Sequence, residues 1–123
     1  MSSADLSGVL LCFDDERPVA QACADQTGLS LAVVQRHRFP DGEVRVRLPE
    51  VLPARVVIWR GLHQPNDKLV ELMLVARTAR SLGAQHLTLV APYLAYMRQD
   101  MAFNPGEAVS QRIVGAFLAE LFD

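Results

Sequence analysis

The sequence has little excess charge, few cysteines and no long apolar run. Its 123 residues carry a net charge of −2 at pH 7, which argues against nucleic acid or an acidic membrane surface as the main partner. Cys12 and Cys23 lie in apolar stretches, and we expect small buried side chains in a reducing compartment rather than a disulfide. No apolar run reaches the roughly 18 residues of a membrane span, and the N-terminus has no signal pattern. A cytoplasmic protein that binds neither membranes nor nucleic acid is therefore expected.

Several motifs of known chemistry are also missing from the sequence. No glycine-rich dinucleotide fingerprint and no GxxxxGKS phosphate loop follow a predicted strand. No serine or cysteine lies in a nucleophile motif. His37, His63 and His86 lack the spacing of metal ligands. The sequence alone therefore predicts no metal ligand and no residue for nucleophilic catalysis.

What the sequence does contain is an alternation of strand-like and helix-like segments. Short apolar or alternating runs predict strands at residues 8–13, 31–37, 44–48, 55–59 and 87–91. Helical spacing and end signals predict helices from the acidic residues 14–16 to Gly28, over 66–82 and over 107–121. Half of the chain is apolar, enough for one domain with one core. The predicted class is α/β, with a largely parallel sheet flanked by helices.

The first candidate site is the turn between the predicted strands 31–37 and 44–48. Proline followed by aspartate and glycine at 40–42 is turn chemistry. An exposed Phe39 could stack on a base, while the carboxylates of Asp41 and Glu43 accept hydrogen bonds from an exocyclic amine. The alternative is an ordinary turn whose phenylalanine packs inward, and the turn pattern by itself favours that alternative.

The second candidate site is the loop at residues 92–106, which follows the predicted strand 87–91. Open parallel sheets bind ligands at the carboxyl ends of their strands. Arg98 can grip phosphate oxygens, Gln99 offers amide donors, and Asp100 can accept from a sugar hydroxyl or hold a metal through water. The alternative is a surface ion pair between Arg98 and Asp100 beside tyrosines that only pack. Spacing alone favours this second interpretation.

Three segments together resemble the ribose-phosphate pyrophosphokinases, also called phosphoribosyl pyrophosphate synthetases. They are RFPDGE at 38–43, PNDKLVEL at 65–72 and PYLAYMRQD at 92–100, and their order and separation match the family. The continuation FNPGEAVS at 103–110 is similar to the form common in archaea and some bacteria. The resemblance covers nearly the whole chain. It implies that residues 1–123 form the family's N-terminal, phosphoribosyltransferase-like domain, without its C-terminal domain.

The resemblance also implies an activity, in which the β,γ-diphosphoryl group of ATP passes to ribose 5-phosphate with magnesium. Homodimers or higher homo-oligomers are implied, with each ATP bound between two subunits. Two groups of residues are implied to bind each ATP. The first group comes from a neighbouring subunit and consists of Phe39, Asp41 and Glu43. The second group comes from the subunit that holds the nucleotide and consists of Arg98, Gln99 and Asp100. In the family's sequence, the metal-binding histidine and the catalytic, diphosphate and ribose-phosphate loops follow the part that this chain resembles. No catalytic residue is therefore expected in this chain, and in isolation it is expected to be inactive.

Three positions depart from the family's pattern. Met101-Ala102 stands where the family normally has one or two basic residues. Leu52-Pro53 replaces an arginine-glycine pair, so regulation by phosphate or ADP at that segment is not expected. Arg60-Gly61 replaces glutamine-serine. These changes leave two alternatives to an ATP-binding half of an enzyme. One is a non-catalytic relative that assembles with and regulates active subunits, and the other is a scaffold that has lost nucleotide binding.

Overall fold

Five strands form one sheet in this computed structural model, which describes residues 8–123. The strands are β1 (Val9–Phe13), β2 (Ser30–Arg38), β3 (Val44–Arg47), β4 (Arg55–Trp59) and β5 (His86–Val90). The helices are α1 (Arg17–Thr27), which follows a 3-10 turn at Asp14–Glu16, α2 (Pro65–Ser81) and α3 (Ser110–Leu121). The strand order is β3-β2-β1-β4-β5, and every neighbouring pair is parallel except β2 with β3. The predicted α/β class with a largely parallel sheet is confirmed.

The central strand β1 is covered on both faces, and all five of its residues are buried. Leu10 and Cys12 belong to a cluster with the small apolar residues of α1. Leu11 and Phe13 belong to the larger cluster, to which α2 and α3 contribute. A strand buried on both sides has no polar face, which is why residues 8–13 read as a continuous apolar run. Cys12 and the half-buried Cys23 are both free.

Two glycines fix the chain path around β1. Gly28 ends α1 with φ +77°, and its N–H donates to the Ala24 carbonyl at 3.0 Å, so the predicted stop is confirmed. Gly8 has φ +79°, and a Cβ there would lie 2.5 Å from the Arg55 carbonyl oxygen. The close approach of β1 to the start of β4 therefore requires glycine at this position.

The edge strand β5 is paired on its outer side by the residue two positions after α3. The Asp123 N–H donates to the Leu87 carbonyl at 2.8 Å, and the Asp123 carboxylate accepts from the Leu87 N–H at 2.8 Å. Arg80 of α2 lies 3.4 Å from the same carboxylate. These contacts hold the end of α3 against the sheet and cover part of an open strand edge. No helix between residues 8 and 123 is both long and apolar enough to cross a bilayer.

The predicted start of the last helix was wrong. The helix begins at Ser110, not at residue 107. Glu107 instead turns its carboxylate back to the loop, where it accepts hydrogen bonds from the backbone N–H groups of Phe103 and Asn104 at 3.0 and 2.9 Å. This local competition for the side chain delays the helix by one turn.

Candidate functional site

The turn between β2 and β3 is closed by hydrogen bonds among its own residues. The Phe39 N–H donates to the Glu43 carbonyl at 2.8 Å, and the Gly42 N–H donates to the Phe39 carbonyl at 2.9 Å. The Glu43 N–H donates to Asp41 Oδ1 at 3.1 Å, and this bond holds the pKa of the Asp41 carboxyl below its ordinary value. The turn thus has a defined shape before any ligand arrives.

Phe39 stands on this turn with 41% of its surface exposed. The ring meets His37 edge to face, with centroids 4.8 Å apart and an interplanar angle of 82°. The alternative of an inward-packed phenylalanine therefore does not hold. The exposed part of the ring is accessible to a flat ligand.

The loop after β5 and the start of α2 enclose a cavity of about 340 Å³. Arg98 and Gln99 line it, together with Pro65, Asn66, Tyr93, Tyr96 and Met97. The Tyr96 hydroxyl donates to Asn66 Oδ1 and so joins the loop to α2. Asp100 is exposed beside this cavity's lining. No ion pair between Arg98 and Asp100 occurs within residues 8–123, so the ion-pair alternative does not hold either.

Gln99 is held by three neighbours. Its side-chain amide donates to Glu107 Oε1 at 3.2 Å and to the Met101 carbonyl at 3.0 Å, and its backbone carbonyl accepts from the Gln111 N–H at the start of α3 at 3.1 Å. Glu107 also binds the loop amides described above, of which the Asn104 N–H contributes most to lowering the pKa of the Glu107 carboxyl. Gln99 is therefore oriented by the loop itself.

In the part of the chain that the structure describes, no hydrogen bond or ion pair joins the two groups of predicted binding residues: Phe39, Asp41 and Glu43, then Arg98, Gln99 and Asp100. Among those same residues, no group of three or more histidine, cysteine or carboxylate side chains is arranged to hold a metal ion.

A buried charge cluster lies where the sequence analysis predicted only a helix start. Arg60, directly after β4, is 1% exposed, and so is Glu71 of α2. The guanidinium of Arg60 lies 2.7 Å from Asp15, 3.1 Å from Glu16 and 3.2 Å from Glu71. Its Cζ stands 4.3 Å from the centroid of the Phe13 ring. We call Arg60, Glu71 and the residues that pair with them the charge cluster.

Two arginines of β2 extend the charge cluster. Arg36 pairs with Asp14 at 2.7 Å and with Glu71 at 3.1 Å. The hydrogen bond from Arg36 is the main reason that the pKa of the Asp14 carboxyl is lowered. Arg38 lies 3.7 Å from Glu71 and donates to the Gly42 carbonyl at 2.9 Å. The cluster thus reaches from the buried end of β4 to the exposed turn.

The charge cluster lies at the place where a parallel sheet usually binds its ligand. That place is the switch point between β1 and β4, because the chain leaves these two strands toward opposite edges of the sheet. Here the side chains of the protein neutralise one another at that point, and the candidate cavity lies one strand further, after β5. The sequence carried a usable signal, namely three acidic residues directly after β1 and an arginine directly after β4.

Residues 9–121 match the family model described as the N-terminal domain of ribose phosphate pyrophosphokinase. Curated relatives carry the name ribose-phosphate pyrophosphokinase, among them proteins of two organisms. The protein of Methanopyrus kandleri is 37% identical over 107 residues, covering 86% of this chain and 37% of the relative. The protein of Saccharolobus solfataricus is 42% identical over 95 residues, covering 76% and 33%. The chain thus spans about a third of the length of these relatives.

A crystal structure of phosphoribosylpyrophosphate synthetase from Mycobacterium smegmatis has a similar fold. Its TM-score is 0.76 at 22% identity, and the match covers 92% of this chain and 39% of that one. The likeness confirms the predicted fold of the domain.

Proposed function

The chain belongs to the ribose-phosphate pyrophosphokinase family, and from that premise we propose that it is the ATP-binding N-terminal domain of a diphosphotransferase. In the proposed reaction of the whole protein, the β,γ-diphosphoryl group of ATP passes to ribose 5-phosphate. One observation carries the proposal: Arg98 and Gln99 line a single cavity beyond the carboxyl end of β5. Open parallel sheets bind their ligands on the side formed by the carboxyl ends of the strands.

Each candidate residue has a chemical role in the proposed site. The guanidinium of Arg98 presents paired N–H donors that suit the oxygens of a phosphate group. Glu107 and the Met101 carbonyl take both N–H donors of the Gln99 side-chain amide, so Gln99 would contribute its Oε1 as an acceptor rather than the expected amide donors. The exposed Asp100 would accept from a ribose hydroxyl. No catalytic residue is proposed among them, because positioning and binding are their whole contribution.

The turn at residues 39–43 is proposed to serve the ATP of a neighbouring subunit. The exposed ring of Phe39 would stack on the adenine. Asp41 uses Oδ1 inside the turn, which leaves Oδ2 to accept from the exocyclic amine, and Glu43 stands beside it. A homodimer or larger homo-oligomer is therefore part of the proposal.

Magnesium is proposed only as a companion of the ATP phosphates. The donors between residues 8 and 123 do not fit a metal site of their own, because no three of them converge. Asp100 is at most a contact through water.

Calorimetric titration of the chain with magnesium-ATP tests the proposal. Hydrogen bonds to charged groups contribute about 1.5–3 kcal/mol, so Arg98→Ala should weaken binding more than about tenfold. Arg77→Ala is the matched control, because this exposed arginine lies about three turns along α2 from the cavity. Saturable heat that only Arg98→Ala removes supports the site. Equal affinity in all three proteins would refute it.

The second candidate function is a regulatory relative that assembles with active subunits. The observation that favours it is the 56% exposed Met101, which together with Ala102 replaces the family's basic residues beside the proposed phosphate site. Absence of ATP binding, combined with a stable complex with an active family member, would favour this second function.

A further inference from the structure

Glu71 is the one carboxylate between residues 8 and 123 that faces three guanidinium groups. The groups belong to Arg60, Arg36 and Arg38, at 3.2, 3.1 and 3.7 Å. Arg60 is itself fixed by Asp15 and by a second acidic neighbour. Glu71 therefore cannot shift without breaking buried ion pairs, which costs far more than a surface pair. It is a rigid point on α2.

Arg38 joins that rigid point to the exposed turn. One nitrogen, Nη1, donates to the Gly42 carbonyl at 2.9 Å. The other, Nη2, lies 3.7 Å from Glu71 and 3.9 Å from Asp67, both on α2. The first contact is a directional hydrogen bond, and the other two are ionic contacts at longer range. A guanidinium has its donors in a fixed plane, so a single side chain can satisfy the turn and the helix together.

The turn needs such a connection if it is to present an aromatic ring. It joins β2 to β3, and Gly42 at φ +96° has no side chain to restrict its backbone. Binding residues must be held to within about 0.5 Å of the productive geometry, and ordering a loose turn on binding lowers affinity. Within the turn, hydrogen bonds fix its shape but not its place relative to α2.

We propose that Arg38 is a positioning residue, which uses the rigid Glu71 to fix the turn that carries Phe39. The charge cluster then has a role beyond stability, because through Arg38 it holds the turn in a fixed position relative to α2. The consequence for ATP rests on the proposed function. The positioning of the turn does not.

Backbone order parameters from nuclear magnetic resonance test the positioning without any ligand. In Arg38→Met, the order parameters of the Asp41, Gly42 and Glu43 amides should fall from about 0.85 to below about 0.6, while those of β1 stay unchanged. Arg45→Met is the matched control, since Arg45 is an exposed cation of β3 that forms no ion pair within residues 8–123. A turn as rigid in Arg38→Met as in the control would overturn the proposal.

Arg38→Lys separates geometry from charge. Lysine keeps the cation but lacks the planar pair of donors, so it should restore the order of the turn only in part. Full restoration by lysine would show that charge alone suffices, which contradicts the role assigned to the guanidinium.

Magnesium-ATP affinity supplies a second readout. Arg38→Met should weaken binding about tenfold in the unaltered background and not at all when Phe39→Ala is already present, because the two residues act in series. An equal loss in both backgrounds would overturn the link to Phe39. If the unaltered chain does not bind ATP, the proposed function fails, and the order parameters still decide whether Arg38 positions the turn.

Discussion

Nη2 of Arg60 lies 3.2 Å from Oε2 of Glu71, and both residues are 1% exposed. Two charges removed from water stabilise a fold only when further partners satisfy them. Arg60 has such partners in Asp15, Glu16 and the Phe13 ring. Only its Nε lacks a hydrogen bond among its buried polar atoms. The pair therefore connects the carboxyl ends of β1 and β4 to α2.

Replacing one member of this pair should be strongly destabilising. Arg60→Met leaves the buried Glu71 with fewer cations and should lower the free energy of unfolding by about 3–5 kcal/mol. Urea denaturation measures this change. The control is Arg77→Met, which replaces an exposed arginine of α2 that forms no ion pair within residues 8–123 and should cost no more than about 1 kcal/mol.

The double variant Arg60→Met and Glu71→Met sharpens the test. Removing both partners leaves neither charge without its counterpart. The double variant should therefore lose less free energy of unfolding than the two single variants lose in sum. A double loss equal to that sum would show that the two side chains do not interact.

The strands were predictable because their apolar pattern is a local property. Residues 55–59 read as a buried strand, and β4 has those same bounds. The charge cluster was not predicted, because Arg60 and Asp15 are 45 positions apart and meet only through the sheet order. The exposure of Phe39 could not be predicted from the sequence either, since it depends on how the turn and His37 are arranged in space. The sequence supplied candidate residues, but their exposure and contacts depend on tertiary structure.

Glu107 should control the order of the loop at residues 92–106. Glu107→Gln removes the negative charge that accepts from Phe103, Asn104 and Gln99. Loss of a charge-assisted bond should speed amide hydrogen exchange at Phe103 and Asn104 about tenfold. Glu120→Gln on α3 is the control, because Glu120 is exposed and has no hydrogen-bonded partner within residues 8–123. Equal exchange in both variants would contradict the role of Glu107.

Besides Asp41, three carboxylates have lowered pKa values, and acid should destabilise the fold through them. The main causes are the Arg36 hydrogen bond for Asp14, the Asn104 amide for Glu107 and the Leu87 amide for Asp123. A lowered folded-state pKa gives stability that is present above the unfolded-state values of about 4 and is lost as pH falls through the folded-state values. The urea midpoint should therefore hold from pH 7 to about 5 and fall below about 4. Arg36→Met should flatten that fall, and a midpoint that rises between pH 5 and 3 would contradict the assignment.

A basic residue restored at position 101 should tighten ATP binding. Met101 is exposed, and Met101→Arg would place a cation three residues beyond Arg98. One added surface ion pair is worth up to about 1 kcal/mol, or about fivefold in affinity. The control is Val51→Arg, which adds the same charge at a residue that is 82% exposed. Calorimetry should find tighter magnesium-ATP binding only for Met101→Arg. An equal gain in both variants would point to a general effect of net charge.

Mixing two defective variants should restore nucleotide binding if each site is shared between subunits. Phe39→Ala and Arg98→Ala remove residues that no hydrogen bond or ion pair joins within residues 8–123 of one chain. In a mixed dimer, one site contains both substitutions and the other contains neither. Random exchange of equal amounts makes about half of the dimers mixed, so about a quarter of all sites should bind ATP with unaltered affinity.

Calorimetry on the mixture, compared with each variant alone, measures this recovery. The expected result is a class of tight sites that appears only after the two variants have exchanged subunits. If the mixture binds no better than the average of its components, Phe39 and Arg98 do not meet across a subunit interface. The turn at residues 39–43 would then serve another purpose. If Phe39→Ala alone binds ATP as tightly as the unaltered chain, the base is not stacked on this ring.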